Sequence, residues 1–369
     1  MEIEHIVNLR HQLHRCPSLS NSEADTVELL EKYISKFNPT KVIKNLGGHG
    51  CCFLFHKNDK YPTVALRADL DALPIQEHNS LAYCSKHDGI SHKCGHDGHM
   101  AMACGVLDYL DDIRANLLLV FQPAEETGEG AKRMINEPQF QNLKIDFIFG
   151  LHNLPGVAEH KILCKRDVFA CSSVGMEIQF KGVSSHAAEP NKAQTPYPLV
   201  EVLLNYIKTN SHFELDEQFK IITMTHVSIG EKSFGITPGD GEIYLTLRAI
   251  KDEYIDKFKE DITKITQNAS ADVQISYHDD FPALKNNAEA YDLIKETGHH
   301  FDFEEMQYPF KWSEDFGHFT QKVKGAYFGI GVGENHFNLH HPEYDFNDGV
   351  LLTGIKFYKA LIDTIANKE

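Results

Sequence analysis

The segment Ser91-His92-Lys93-Cys94-Gly95-His96-Asp97-Gly98-His99 gathers thiol, imidazole and carboxylate donors between a loop and the start of an expected helix. Such side chains are the usual ligands of zinc and related ions. Three other segments place donors close to expected element ends. Glu125-Glu126 follow the apolar run Asn116 to Phe121, His152 follows the run Ile145 to Gly150, and His336, His340 and His341 lie in a polar loop before the last helix. In open α/β sheets, ligands bind just beyond the carboxyl ends of the strands. Each segment alone has a plainer explanation, a solvated His-rich loop or an acidic helix N-terminus favoured by the helix dipole. Four segments with one chemistry make coincidence a poor account.

Adjacent ionised carboxylates repel, so one of Glu125 and Glu126 is expected to meet a cation while the other exchanges a proton. If Cys94, His96, Glu126, His152 and one His of the 340–341 pair all bind metal, they exceed the three protein ligands of a single catalytic zinc. Two ions sharing ligands would accommodate them, about 3.5–4 Å apart, and would hold both a nucleophilic water and a substrate oxygen. Glu125 would then be the general base, passing a proton from that water to a leaving amine, a role worth about 10²–10⁴ in rate.

These residues need a frame. Helical spacing covers the first residues (Ile3, Ile6, Val7, Leu9, Leu13) and a second stretch near 22–36, with Ser20 or Asn21 as N-cap. Apolar runs at Cys51–His56, Thr63–Arg67, Asn116–Phe121 and Ile145–Gly150 read as strands, the later ones alternating with helices at 98–111 and 130–137. That alternation predicts a largely parallel sheet with helices on its faces. From Val174 the order becomes strand 174–181, helix 197–210, strands 219–228 and 241–250, helix 252–267 and strand 273–278. This β-α-β-β-α-β order is the ferredoxin-like unit. The expected fold is therefore α/β with two domains: a three-layer catalytic domain from 1–172 and 282–369 with a mixed, mostly parallel sheet, and an inserted α+β lid at 173–281. Helices near 288–298, from Ser313 and from about 348, with a Gly-rich strand at 325–331, complete the first domain.

Composition agrees with two folded domains. The chain has 369 residues, 42% hydrophobic and 24% charged, which is ordinary globular usage at about 100–200 residues per domain. Thirty-six Lys and Arg against 53 Asp and Glu give a net charge of −17, a field that repels phosphate backbones and anionic membranes. Neither nucleic acid nor a membrane is an expected partner. The eight Cys show no repeating spacing, which reads as reduced thiols. No run of about 18 apolar residues occurs and the first residues lack the apolar core of a signal peptide, so a soluble cytoplasmic protein is expected.

The segments Arg67–Pro74, Cys94–His99, Gln122–Glu126, Gly150–His152, Ser185–Ala188, Ser313–Phe316 and Leu339–Pro342 resemble, in order along nearly the whole chain, the amidohydrolase branch of the dinuclear-metal aminoacylase and carboxypeptidase family. That branch contains hippurate hydrolases, N-acyl-amino-acid amidohydrolases, N-acetyl-diaminopimelate deacetylases and indole-acetyl-amino-acid hydrolases. The resemblance implies Cys94, His96, Glu126, His152 and His340 as ligands of two divalent ions, with Glu125 as catalytic base. His340 is preferred to His341 because the family's ligand stands two residues before the Pro. Asp71 matches an acidic residue that orients a metal ligand. His186 matches a lid histidine that stabilises the developing oxyanion. Arg248, near the end of a lid strand, is a candidate for a bidentate grip on the substrate carboxylate, with a structural salt bridge as the alternative.

Three positions depart from the family pattern: His341 between His340 and Pro342, the extra acid Glu129, and the stretch from Glu189 to Pro196 after the lid His. The implied reaction is metal-dependent hydrolysis of an N-acyl amino acid, through a metal-activated water, to a carboxylic acid and a free amino acid. The metal is Zn²⁺ or Mn²⁺, with Co²⁺ and Ni²⁺ also compatible with these donors. Alternatives are a dipeptidase or carboxypeptidase on the same scaffold, or a non-catalytic metal-binding module. The apolar lid helix Tyr197 to Tyr206 either forms a homodimer face or packs on the lid sheet.

Overall fold

A computed structural model describes residues 3–368. The chain forms two compact units. The first runs up to Phe169, then through Leu284–Gln307 and from Asp315 onward; the second comprises Ala170–Ala283 with Tyr308–Glu314.

The first unit is built on an eight-stranded sheet. Its spatial order is Lys41–Leu46, Gly50–Phe55, Asn116–Gln122, Thr63–Asp69, Phe147–Pro155, Gly325–Gly333, Ile162–Cys164 and Phe303–Glu305. The strands Thr63–Asp69 and Asn116–Gln122 run parallel and are buried at every residue, which explains why their sequences are largely apolar, Arg67 and Asp69 being the charged exceptions. Parallel pairing continues through Phe147–Pro155 to Gly325–Gly333, while Gly50–Phe55 and Ile162–Cys164 pair antiparallel with their neighbours Asn116–Gln122 and Gly325–Gly333. The sheet is mixed and mostly parallel.

Helices cover it through apolar stripes. Glu4–Arg15 buries Ile6, Leu9 and Leu13, and Leu351–Ala366 buries Leu351, Ile355, Tyr358, Leu361, Ile362 and Ile365, each at the three-and-four spacing of a helix face.

Four local expectations are corrected. The strand expected to stop at Gly150 continues to Pro155, so His152 lies within it; the ladder persists because Gly329 and Ile330 pair with His152 and Asn153. Neither Ser20 nor Asn21 caps the second helix, Ala24–Ile34, whose N-cap is Glu23. Ser20 Oγ donates instead to Asp71 Oδ2 and Asn21 Oδ1 accepts from Arg133. No helix starts at Ser313; a single turn spans Gly317–Thr320, because Ser313 and Asp315 bind two different arginines. The helix expected over 98–111 is α-helical only from His96 to Gly105 and continues as a 3-10 turn over Val106–Asp112.

The second unit is a four-stranded antiparallel sheet in the order Lys220–Ile229, Asp240–Ala249, Ser172–Lys181, Asp272–Phe281. Two helices, Tyr197–Asn210 and Asp252–Gln267, bury Leu199, Leu203, Ile255, Phe258 and Ile262 against Val174, Met176, Ile178 and Phe180. This is the ferredoxin-like arrangement. Tyr197, Val202 and Leu204 remain exposed on the first helix. The segment Tyr308–Glu314 joins this unit through Cys171 N–H to Phe310 O and through Arg248 Nη1 to Lys311 O and Ser313 Oγ.

Candidate metal centre and catalytic residues

Glycine at 95 opens the site. Its φ of +94° is a conformation other residues resist, and a Cβ there would lie 2.5 Å from Asn153 Oδ1. The turn sends Cys94 and His96 into the space at the carboxyl ends of the central strands. Ala124, at φ +49°, makes a second sharp turn that presents Glu125 and Glu126. That turn is held by Glu23 Oε1, which accepts the Ala124 N–H at 2.8 Å. His340, at φ +66°, completes the set from the loop before the last helix.

The donors converge. Ligand atoms of Cys94, His96 and His152 lie within 4.8 Å of one another, as do those of Cys94, Glu126 and His340, and those of His96, Glu125 and Glu126. Cys94 Sγ stands 3.5 Å from His152 Nε2. Zn–S of about 2.3 Å and Zn–N of about 2.05 Å at a tetrahedral angle would place the two donors about 3.5 Å apart. Glu126 Oε1 lies 3.8 Å from both His96 Nε2 and His340 Nε2. His96 Nε2 and Glu126 Oε1 are buried with no hydrogen-bond partner, an arrangement that a cation would satisfy. The residues therefore fit a metal centre.

Backbone carbonyls fix the imidazoles. His96 Nδ1 donates to Asp71 O and His152 Nδ1 to Asn153 O, both at 2.8 Å, which turns each Nε2 toward the donors. Asp71, which the family resemblance makes an orienting residue, contacts His96 at two points. It orients His96 mainly through its carbonyl, its Oδ1 being 3.7 Å from His96 Nδ1, while its Oδ2 accepts the Glu126 N–H at 3.1 Å. Burial, with the nearby acids Asp71 and Asp69, pushes Glu126 up to about 7 against the opposing effect of His96. Burial and Glu126 likewise raise the Cys94 thiol well above its ordinary range. Burial and the neighbouring His99 keep His152 well below the usual imidazole range. Protons and cations thus compete for the same atoms.

A sequence model of peptidase family M20/M25/M40 matches residues 65–364. The chain belongs to this family. It is 31% identical over 363 residues to the hippurate hydrolase of Campylobacter jejuni, a match covering 96% of this chain and 94% of that protein. It is 27% identical over 381 residues to the N-acetyl-L-cysteine deacetylase of Bacillus subtilis, covering 97% and 88%. A Bacillus subtilis dinuclear metal binding peptidase of family M20 superposes with a TM-score of 0.82 at 22% identity over 99% of both chains. A Staphylococcus aureus tripeptidase does so with 0.76 at 14% identity over 100% and 99%. These superpositions establish the shared fold. This M20 protein is a metal-dependent hydrolase.

Within it, the first unit brings together Cys94, His96, Glu125, Glu126, His152, His340 and Asp71. His186 and Arg248 belong to the second unit. His186 sits in a two-residue strand paired with Ile236–Thr237, exposed, and its Nδ1 accepts the Ala188 N–H at 3.1 Å, so Nε2 carries the proton in the neutral ring. Arg248 spends Nη1 on Lys311 O and Ser313 Oγ, at 2.9 and 3.0 Å.

A layer of buried polar residues, none of them among the expected site residues, lies beneath the M20 site. Asp69 Oδ1 binds His99 Nδ1 at 2.7 Å, His99 Nε2 meets Asn153 Oδ1, and Arg67 joins Asp69, Gln122 and Asp315. The available signal was an arginine and an aspartate in a strand otherwise made of core residues, since such charges persist in a core only when paired.

Proposed function

We propose that this protein hydrolyses the amide bond of N-acyl amino acids, releasing a carboxylic acid and a free amino acid. The observation that carries the reading is the convergence of Cys94 with His96 and His152 in one group of donors and with Glu126 and His340 in another, beside the buried carboxylate of Glu125. Five donors in two groups sharing a thiolate suit two divalent ions, and the mixed sulfur, nitrogen and oxygen set favours zinc, with manganese, cobalt and nickel the other ions it accepts. Bound ions supply Lewis acidity toward the scissile carbonyl and toward water.

Glu125 takes the proton of the attacking water as the new C–O bond forms, then delivers it to the amine nitrogen as the C–N bond breaks. Its neighbour Glu126 would hold the cation and so would not be free to take that proton. His186 offers an Nε2–H donor to the oxygen that becomes negative in the transition state, and the second unit acts as the lid that carries it. Arg248 supports the Tyr308–Glu314 segment and leaves its remaining guanidinium donors for the substrate carboxylate. The hippurate hydrolase and N-acetyl-L-cysteine deacetylase relatives both act, by name, on acylated amino acids or release an acyl group from one, which favours this substrate class over dipeptides.

The eight cysteines are all free thiols, as suits the reducing cytoplasm, and the exposed side chains of Tyr197, Val202 and Leu204 suit contact with a second copy of the chain. Among the described residues no helix is long and apolar enough to cross a membrane.

The test is amino-acid release from N-acetyl, N-benzoyl and dipeptide substrates, with apo protein titrated by Zn²⁺, Mn²⁺, Co²⁺ and Ni²⁺. Metal-dependent release from the acylated substrates is expected. Preference for dipeptides would reassign the protein as a dipeptidase, and two equivalents of bound metal with no turnover of any substrate would leave a metal-binding module.

A further inference from the structure

Beside Cys94 the chain buries a lysine completely. The Lys93 ammonium has no solvent exposure and lies 2.7 Å from each of three oxygens: Glu77 Oε1, Asn79 Oδ1 and the carbonyl of Tyr344. An ammonium has three protons, and here each has an acceptor. The same residue's backbone carbonyl accepts the N–H of His340, also at 2.7 Å. One residue thus holds the 340–344 segment at both ends, by main chain at His340 and by side chain at Tyr344. The loop carrying its acceptors grips the same segment: His78 N–H donates to Pro342 O and Asn79 Nδ2 to Glu343 O.

His340 needs such support. Its backbone occupies the left-handed region, which a non-glycine residue keeps only when its surroundings enforce it. Its side chain is 52% exposed, so packing does little to fix the ring that stands 3.8 Å from Glu126 Oε1. A half-exposed ligand on a loop would have to be ordered whenever an ion binds, and ordering it beforehand removes that loss from the binding equilibrium.

We propose that Lys93 is a positioning residue for the metal centre: its carbonyl and its ammonium together lock the loop of His340 against the Cys94 turn, so that the Cys94, Glu126 and His340 donors are in place before a cation arrives. The proposal rests on the ligand assignment made under Proposed function. The residue is next to a ligand yet directs no atom at the ion; it acts through the loop. Residues that orient metal ligands commonly change metal affinity by about 10–100-fold when removed, and that range is the effect expected here.

The experiment measures metal affinity and needs no turnover. Apo wild-type, Lys93→Met, His340→Ala and the double variant are titrated with Zn²⁺ against a chromophoric chelator, and with Co²⁺ by visible absorption; circular dichroism and thermal unfolding report the fold. Because Lys93→Met removes one of the two basic groups on the Glu77 carboxylate and leaves only His14 Nε2 at 3.0 Å, Glu77→Gln/Lys93→Met is prepared in parallel and carries the same test if the single variant does not fold. The expected result is a folded variant in which one class of site weakens by about 10–100-fold and the other changes little, with Lys93→Met adding nothing to the loss caused by His340→Ala. Affinities within twofold of wild type at both sites would overturn the role of Lys93, as would losses that add fully to those of His340→Ala. If His340→Ala itself left both affinities unchanged, the ligand assignment would fall and the proposal with it.

Discussion

Cys94 Sγ lies 3.5 Å from His152 Nε2 and belongs at the same time to the cluster formed by Glu126 and His340. The Cys94 sulfur is therefore the donor common to both groups, and losing it differs from losing a ligand of one group. Cys94→Ala should bring metal content, measured by elemental analysis after equilibration with excess Zn²⁺, well below one equivalent. His340→Ala should retain about one of two. Equal retention by the two variants would show that Cys94 is not shared.

Glu125 stands next to a proposed ligand in the chain and differs from it in task. Glu125→Gln keeps the volume and a hydrogen-bonding oxygen but abolishes the proton acceptor, so metal content should remain at the wild-type level while kcat falls by about 10²–10⁴. The fall should appear in kcat with KM little altered, because the interaction lost is made in the transition state. Wild-type turnover in a metal-loaded variant would remove Glu125 from the base role.

Metal affinity should depend on pH in a definite direction. Glu126, raised by burial and by Asp71 to about 7, binds its proton more tightly in the folded apo protein than in the unfolded chain, and Cys94 holds its thiol proton still higher. Through Glu126 the folded apo state therefore loses stability as pH rises from its ordinary value near 4.5 toward 7. A cation must displace both protons, so affinity should rise with pH, more steeply below pH 7 than above it, with protons released on binding. Titration of apo protein with Zn²⁺ in a weakly buffered indicator solution measures that release directly. Affinity that is flat between pH 5.5 and 8 would mean that these atoms do not bind the ion.

The sequence revealed the donors better than the structures that aim them. Fully apolar runs such as Leu117 to Phe121 announce buried parallel strands because every residue must face a covered surface, and the β-α-β-β-α-β order of the second unit follows from clear changes of period. His152 could not be placed inside its strand from its own segment, because that strand is extended by pairing with Gly329 and Ile330, almost 180 residues later in the chain. Ser20, Asn21 and Ser313 depart from helix capping for a related reason. Each has the side chain of a helix cap, but distant charged partners, Asp71, Arg133 and Arg248, take the hydrogen bonds first. Lys93 and Asp69 were invisible as supports because local sequence does not say which buried charge meets which.

Arg67 offers a test of that supporting layer. Its guanidinium is buried and reaches Asp69 Oδ2 at 2.8 Å, Gln122 Oε1 at 2.7 Å and Asp315 Oδ1 at 3.1 Å, while Asp315 also accepts from Gln122 Nε2 and from the Ala131 N–H. Asp315 thus balances a buried charge and terminates two further donors. Asp315→Ala removes all of this in a place water does not reach, and breaking one side of a buried ion pair typically destabilises by about 3–5 kcal/mol. Asp315→Asn keeps an acceptor oxygen but not the charge, so it should lose less. Urea unfolding of the two variants against wild type measures the difference, and the expected order is wild type, then Asn, then Ala. An Ala variant within about 1 kcal/mol of wild type would mean that Asp69 alone suffices to neutralise Arg67.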